Sequence, residues 1–306
     1  FFRLVPGSFS PADADHQLIR ETADIVIVIP QGFEEEVYRS MFHGVMDPEA
    51  RLQLRINAVN ATAAGLIQAY ATQVLRHFAN GMAAELGPLA AGTAQIDILT
   101  SFWYNPDLNY KVFMVPGILV ILVTIMGLFL TALNLVREKE IGTIEQINVT
   151  PILKYQFIIG KLLPFWIIAL VELAFGLALG WLLFRVGIEG SLWVLFSFTS
   201  LYLLSVLGLG LLMSSLSTNQ QQVMFMTFFF AITFILMSGI FTPTESMPDW
   251  AQRVNVINPI AYYMRVIRMV MLKGSGFADI GAEFLAMGIY GVAAISLAVW
   301  RYRKTA

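Results

Sequence analysis

The chain contains no cysteine among its 306 residues. Disulfides, Cys-ligated zinc and a thiol nucleophile are therefore excluded, and any exposed domain must hold together by its core alone. Charge is scarce as well: 13% of residues are charged against 57% hydrophobic, with a mean hydropathy of +0.69, where soluble domains carry roughly 25% charged residues. A purely soluble enzyme is excluded on that ground. The three histidines, His16, His43 and His77, stand far apart and form no H-E-x-x-H pair, which leaves a zinc hydrolase without its ligand spacing. There is no G-x-S-x-G elbow and no G-x-x-x-x-G-K-[ST] phosphate loop, so the chain neither acylates in the hydrolase manner nor binds ATP by the P-loop route. If its work needs ATP, a partner must supply the ATPase. A net charge of −2 with no cluster of Lys and Arg excludes nucleic acid as a ligand.

What is present is unevenly spread. Residues 1–110 hold six Lys/Arg and twelve Asp/Glu, whereas residues 111–306 hold thirteen and nine. The first third reads as a soluble acidic domain and the rest as a bilayer domain. Between Lys111 and Arg137 lie 25 uncharged residues, and about 20 suffice to cross a hydrocarbon core as a helix. Lys161 to Arg185 encloses 23 residues interrupted only by Glu172. From Gly190 to Thr244 no charge occurs in 55 positions, and the polar run from Ser214 to Gln222 divides that stretch into two helices. A fifth apolar run, Phe284 to Trp300, has 17 residues, short for a span but bordered by the interface anchors Trp300 and Tyr302.

Placement of Lys and Arg sets the orientation. Arg137, Lys139, Lys154 and Lys161 follow the first span, and Arg301, Arg303 and Lys304 follow the fifth, so both ends are expected at the cytoplasmic face and residues 1–110 outside. Arg253, Arg265, Arg268 and Lys273 run against this pattern, because they fall in the loop placed outside after the fourth span. The chain begins at Phe1 without a basic n-region or a cleavage site. An external domain then calls for an upstream signal-anchor helix, which would bring the spans to six.

In the soluble part, Ile25-Val26-Ile27-Val28-Ile29 before Pro30 reads as a buried strand, and Leu52-Gln53-Leu54-Arg55-Ile56 alternates with period two. Phe33 to Phe42 reads as a short helix whose Glu34, Glu35 and Glu36 favour the positive end of its dipole rather than a metal. Val59 to Leu86, with Leu66, Tyr70, Leu75 and Phe78 at helical spacing, reads as a long helix. The resulting order, βαβα, predicts a small α/β domain.

Four features of the membrane part carry candidate chemistry. Glu172 is the one ionisable residue inside a predicted span, a position that is costly unless used. Gly208-Leu209-Gly210 is a fragment of a dinucleotide fingerprint but reads better as close helix packing. Arg137-Glu138-Lys139-Glu140-Ile141-Gly142-Thr143-Ile144-Glu145-Gln146-Ile147 sets isoleucines three apart among charges, the pattern of an amphipathic interfacial helix from 137 to 147 that a cytoplasmic motor could push on. Finally, Ser246-Met247-Pro248-Asp249 and Asn258-Pro259 each resemble a helix start. They predict a hairpin over 246–274 whose second helix sets Arg265 and Arg268 opposite Ile260, Tyr263, Ile267, Val270 and Met271, lying in the outer leaflet or re-entrant.

Together these residues resemble the ABC-2 type export permeases. Asn134 to Gln146 looks like the family's cytoplasmic signature; Phe113-Met114-Val115-Pro116-Gly117, Gly160-Lys161-Leu162-Leu163-Pro164, Ser238-Gly239-Ile240-Phe241-Thr242-Pro243 and Asn258-Pro259 agree with it in order and spacing. The soluble part is similar to the external domain that one bacterial branch inserts between its first and second spans. The resemblance implies an α-helical polytopic protein of the bacterial inner membrane, with five of six spans in this chain and an α/β domain on the periplasmic side. It further implies a homo- or heterodimer resting on cytoplasmic ABC ATPase subunits, which bind ATP and magnesium. The cargo would be a lipophilic small molecule, drug-like or lipid, moved by alternating access, and a periplasmic adaptor and outer-membrane channel would be further partners. By position it implies ATPase coupling through Arg137, Glu138, Lys139, Glu140, Gly142, Thr143 and Glu145, with Glu138, Glu140 and Glu145 as the contacts. Glu172, Phe225, Phe228, Phe229 and Phe230 are candidates for the substrate path. The alternatives are a membrane-anchored receptor or scaffold acting through the external domain, and an enzyme, for which no catalytic pair is found.

Overall fold

Strand alternation and helical spacing translate into elements close to where the sequence sets them. The computed structural model describes residues 10–20, 22–43, 51–86, 98–143, 154–241, 244 and 247–301, and the chain divides into two units, Phe1–Phe113 and Met114–Ala306.

The first unit contains α1 (Pro11–Ile19), β1 (Ile25–Val28), α2 (Phe33–His43), β2 (Leu52–Asn57), α3 (Ala61–Leu86) and β3 (Ile98–Trp103). β2 is the central strand. It runs antiparallel to β1, with Ile25 opposite Ile56, and parallel to β3, with Leu52 opposite Ile98. Parallel neighbours need a crossover, and α3 lies within it. One face of β2, Leu52, Leu54 and Ile56, is buried against Ala64, Ala71, Ile67 and Leu75 of α3. On the opposite face Arg55 Nη1 donates to Asp15 Oδ1 at 3.0 Å, and its guanidinium lies 5.5 Å from the centroid of the Trp103 ring. That side chain ties α1 and β3 to the central strand.

Neither α1 nor β3 is anticipated by the βαβα reading, and the inward face of α3 is not the one its large residues suggest. Leu66, Tyr70 and Phe78 are 55%, 43% and 56% exposed. The helix approaches the sheet through Ala64 and Ala71, flanked by Ile67 and Leu75, because small side chains let the backbones draw close, while Leu66, Tyr70 and Phe78 are left outside.

Helix α4 (Tyr110–Ile141) carries the chain into the second unit, followed by α5 (Lys154–Phe184), α6 (Leu192–Leu216), α7 (Gln220–Met237), α8 (Asp249–Asn255), α9 (Pro259–Lys273) and α10 (Gly281–Arg301). Five of these, α4, α5, α6, α7 and α10, are long and apolar enough to cross a bilayer. α4 has 32 residues, a rise of ~48 Å against a hydrocarbon core of ~30 Å, so it extends well past the core. α10 is longer than its uncharged run, since Glu283 joins its first turn, where a carboxylate favours the helix dipole.

α6 is the hub. It packs on α5, α7, α9 and, most extensively, α10, and it meets α4 through glycine. A Cβ at Gly208 would lie 3.0 Å from Ala294 Cβ and Ile295 N on α10, and one at Gly210 would lie 2.8 Å from the Leu128 carbonyl oxygen on α4. The packing reading of Gly208-Leu209-Gly210 is thus the structural one, with the two glycines serving opposite neighbours.

The interior of this unit also holds polar pairs. Thr124 Oγ1 donates to the Val120 carbonyl and Thr199 Oγ1 to the Leu195 carbonyl, at 2.6 and 2.8 Å. Each threonine proton is thereby used within its own helix, so the hydroxyls of Tyr202 and Tyr263 must donate to Thr124 and Thr199, at 2.6 and 2.9 Å. The two tyrosine rings stack with centroids 4.2 Å apart, joining α4, α6 and α9. Tyr263→Phe is expected to lower stability by about 1 kcal/mol, read as a fall in Tm of the detergent-solubilised protein.

Of the two placements expected for α9, outer leaflet or re-entrant, its burial favours the enclosed one. Ile260, Tyr263, Ile267, Val270 and Met271 are buried as the spacing predicts, but so are Met264, Val266 and Met269, because α6, α7 and α10 surround the helix. α9 is a packed member of the bundle and does not lie on it. Asn258 caps it, accepting from Ile260 N at 3.0 Å. α8 opens at Asp249 with Pro248 as the capping position; Ser246 lies outside the described residues.

Candidate functional site

The charged segment after the first span is built on α4 itself. No helix breaker occurs between Leu135 and Ile141, so α4 continues through Arg137, Glu138, Lys139, Glu140 and Ile141. It stops where Gly142 takes a left-handed φ of 80°, a conformation glycine adopts without a Cβ clash. The expected separate helix from 137 to 147 is corrected to that extent: its first five residues complete the spanning helix. Ile144, Glu145 and Ile147 lie outside the described residues.

Glu138, Lys139 and Glu140 each find a counterpart on another helix. Glu138 forms an ion pair with Lys161 on α5, the side chains being 17% and 33% exposed. Lys139 Nζ donates to the carbonyl oxygens of Ser214 and Ser217, the latter at 3.4 Å. The Glu140 carboxylate accepts from the backbone N–H of Gln220 at 2.7 Å and from its side-chain amide. Thr143 Oγ1 reaches back to the Glu138 carbonyl at 3.2 Å. Arg137 is exposed.

The electrostatic logic follows from where α6 ends and α7 begins. Unsatisfied carbonyls give a helix C-terminus a partial negative charge, and unsatisfied N–H groups give an N-terminus a partial positive one. Lys139 sits on the carbonyls at the end of α6 and Glu140 on the first N–H of α7, so adjacent opposite charges of α4 serve the opposite dipole ends of two other helices. The turn between them is itself braced. Asn219 accepts from Gln222 N at 2.7 Å, and Gln222 Oε1 accepts from Thr218 N at 3.0 Å and from Thr218 Oγ1 at 3.1 Å. α4, α5, α6 and α7 are thus locked together at one end of the bundle.

This arrangement differs from the sequence expectation in one respect. Glu138 and Glu140, read as outward contacts for a motor, turn toward neighbouring helices. The residues that sequence reasoning missed are Ser214, Ser217 and Gln220. They belong to the polar run from Ser214 to Gln222, which was legible as a break between spans but not as a partner for α4.

The other candidates are not brought together with this site. Phe225, Phe228 and Phe229 face outward from α7 at 61%, 54% and 66% exposure, while Phe230 is half-buried and packs edge to face with Phe234. Glu172 lies on α5 with one carboxylate oxygen buried. Among the described residues, no group of three or more His, Cys, Asp or Glu is placed to hold a metal ion.

Comparison with known proteins gives this end of the bundle its context. A family model described as "ABC-2 family transporter protein" matches residues 8–300. The chain is 36% identical over 225 residues to the "Probable multidrug ABC transporter permease YbhR" of Escherichia coli, covering 73% of this chain and 60% of that protein. It is 30% identical over 259 residues to the "Probable multidrug ABC transporter permease YbhS" of the same organism, covering 82% of this chain and 64% of that protein. To the "Inner membrane transport permease YhhJ" it is 24% identical over 307 residues, covering 99% and 79%. The matched region is thus less than two thirds of the length of YbhR and YbhS. No solved structure matches. With five membrane-crossing helices and a family match across nearly all of its length, the chain belongs to the ABC-2 transporter family and is a multi-pass membrane protein.

Proposed function

We propose that this chain is the membrane-spanning subunit of an ATP-driven exporter, and that the end of the bundle at Arg137–Thr143 is where a separate ABC ATPase acts on it. The observation that carries the reading is the double engagement of Lys139 and Glu140 with α6 and α7. A push delivered to the end of α4 is passed to two further spans without slack. In this scheme Arg137, the exposed Ile141 and the segment that follows Gly142 meet the ATPase, while Glu138, Lys139 and Glu140 pass the force inward. That end is cytoplasmic, and the α/β unit lies on the periplasmic side of the inner membrane.

Two such subunits, identical or paralogous, enclose the substrate path, with the outward phenylalanines of α7 facing it. ATP binding and hydrolysis in the partner alternate its access. The cargo is a lipophilic small molecule, drug-like or lipid; the aromatic surface of α7 and the names of the relatives support that class. A periplasmic adaptor and an outer-membrane channel extend the route.

The test is purification of the full-length protein in mild detergent from its native membrane, with mass spectrometry of what accompanies it. A stoichiometric ABC ATPase, active in the purified complex, is the expected result. Repeated recovery without any ATPase would overturn the proposal in favour of a receptor or scaffold that acts through the α/β unit.

A further inference from the structure

Four cations, Arg253, Arg265, Arg268 and Lys273, stand between α7 and α10, on the side of the bundle where the positive-inside pattern gives no reason for them. Two have structural work. Arg268 Nη1 donates to the Gly239 carbonyl at 3.0 Å, and Lys273 occupies the last turn of α9 ahead of the left-handed Gly274, where a cation complements the helix dipole. Arg253 and Arg265 are different. Arg253 is exposed. The Arg265 side chain is 46% exposed, and its Nη1 lies 3.7 Å from Glu283 Oε1, beyond hydrogen-bond length. Glu283 therefore steers the guanidinium without using up its five donors.

Arg265 lines a cavity of about 270 Å³ together with Thr244, Gln252, Asn255, Val256 and Tyr262. That volume sits just under the range of ~300–1,000 Å³ usual for drug-sized ligands and suits a smaller polar group. Its lining is mixed: the Arg265 guanidinium and the carboxamides of Gln252 and Asn255 give the polar part, Gln252 donating to the Met247 carbonyl at 2.8 Å, and Val256 and Ala261 give apolar surface. The Tyr262 hydroxyl donates to the Val256 carbonyl at 3.0 Å, which leaves its oxygen as an acceptor.

The depth of this cavity is fixed by α7. Its 18 residues rise ~27 Å, close to the thickness of a hydrocarbon core, so the cavity at its far end lies a membrane's width from the Lys139–Glu140 joint. Beside the cavity α8 and the turn after it present Trp250, Val254, Val256 and Ile257, exposed. Tryptophan characterises the headgroup level, and the aliphatic side chains beside it suit the adjoining acyl region. A polar, cationic recess with an apolar border at headgroup depth matches a molecule with an anionic head and a hydrocarbon body.

The geometry points to a binding site at the α8–α9 corner for the phosphodiester headgroup of an anionic phospholipid, with Arg265 on the phosphate and Arg253 reinforcing the field. Asn255 at the cavity wall faces the headgroup's oxygen atoms, and the border of α8 rests against the acyl chains. The site requires only a membrane, so it stands or falls separately from any transport reading.

The full-length protein, reconstituted in nanodiscs of phosphatidylglycerol mixed with phosphatidylcholine and then released for native mass spectrometry, is expected to retain phosphatidylglycerol over phosphatidylcholine about tenfold. Arg265→Gln brings that ratio near parity, and Arg253→Gln lowers it about fivefold, the effect of one cation near an anionic surface. Arg185→Gln, which removes an exposed cation after α5, leaves it unchanged, and millimolar inorganic phosphate does not displace the lipid. An unchanged ratio in both Arg265→Gln and Arg253→Gln overturns the proposal. So does an equal loss in Arg185→Gln, which would mean general surface charge, or displacement by inorganic phosphate, which would mean a site for free anions. Should Arg265→Gln fail to fold, Arg253→Gln on its exposed helix decides.

Discussion

Exchanging the two charges of the joint, Lys139→Glu with Glu140→Lys, is expected to yield a protein that still binds its ATPase but no longer moves with it. The exchange places a carboxylate on the carbonyls that end α6 and an ammonium on the N–H groups that start α7, each against a dipole end of its own sign. At the part-buried Lys139 the lost charged hydrogen bond is worth about 1.5–3 kcal/mol, while at the exposed Glu140 the reversal acts by removing the acceptor that caps the first turn of α7. Spin labels at the exposed Ile141 and Leu216 read the result directly. In the unaltered complex their separation should stay fixed as nucleotide is bound and hydrolysed, because α4 and α6 travel together; in the exchanged variant it should broaden and lengthen. Transport per ATP is expected to fall at least tenfold while ATPase binding persists. A label distance that is unchanged by the exchange would show that the joint does not transmit.

Gly210→Leu should have the other large effect, on stability. A Cβ there would sit 2.8 Å from the Leu128 carbonyl oxygen and 3.0 Å from Thr131 Cβ; the first is backbone and cannot swing aside, so α4 and α6 would have to separate. Overpacking typically costs about 1–3 kcal/mol, and rigid backbone contact sets this case at the upper end or beyond, ~3 kcal/mol. Gly288→Ala on α10 is the natural control. Its nearest neighbour would be Leu201 Cδ2 at 3.9 Å, an ordinary contact, and removing a helical glycine is worth up to ~1 kcal/mol. Thermal unfolding in mild detergent should therefore show Tm falling for Gly210→Leu and holding or rising for Gly288→Ala. The reverse order would remove α4–α6 glycine packing from the account of this bundle.

How far the sequence could be read depended on what each signal encodes. Spans are legible because the bilayer fixes a length and disfavours charge, and the uncharged run from Lys111 to Arg137 and the run from Lys161 to Arg185, broken only by Glu172, became α4 and α5. β2 was legible because Leu52, Leu54 and Ile56 alternate with polar neighbours and only one face meets a core. α3 was found as a helix but not its inward face, since hydrophobicity marks size and not contact: Ala64 and Ala71 meet the sheet, with Ile67 and Leu75 beside them. The placement of α9 was left open for a related reason. Its amphipathic pattern is that of a surface helix, and only Arg265 is left outside when three helices close around it. The site behaved likewise. Its charges stood out in one dimension, but Ser214, Ser217 and Gln220 lie more than seventy positions from their partners on α4, and a backbone carbonyl or N–H leaves no trace in residue type.

The hub position of α6 bears on how the protein is made. α10 forms the most extensive helix contact of α6 and is the last of the five spans to leave the ribosome. Until it arrives, the groove at Gly208 and the Ser205 hydroxyl, which donates to the Met287 carbonyl at 3.3 Å, stay open to lipid. Insertion of the first four spans is therefore not the completion of the bundle. A chain interrupted before Gly281 exposes a small-residue groove and an unsatisfied hydroxyl in hydrocarbon, the kind of feature by which membrane proteases recognise unfinished products.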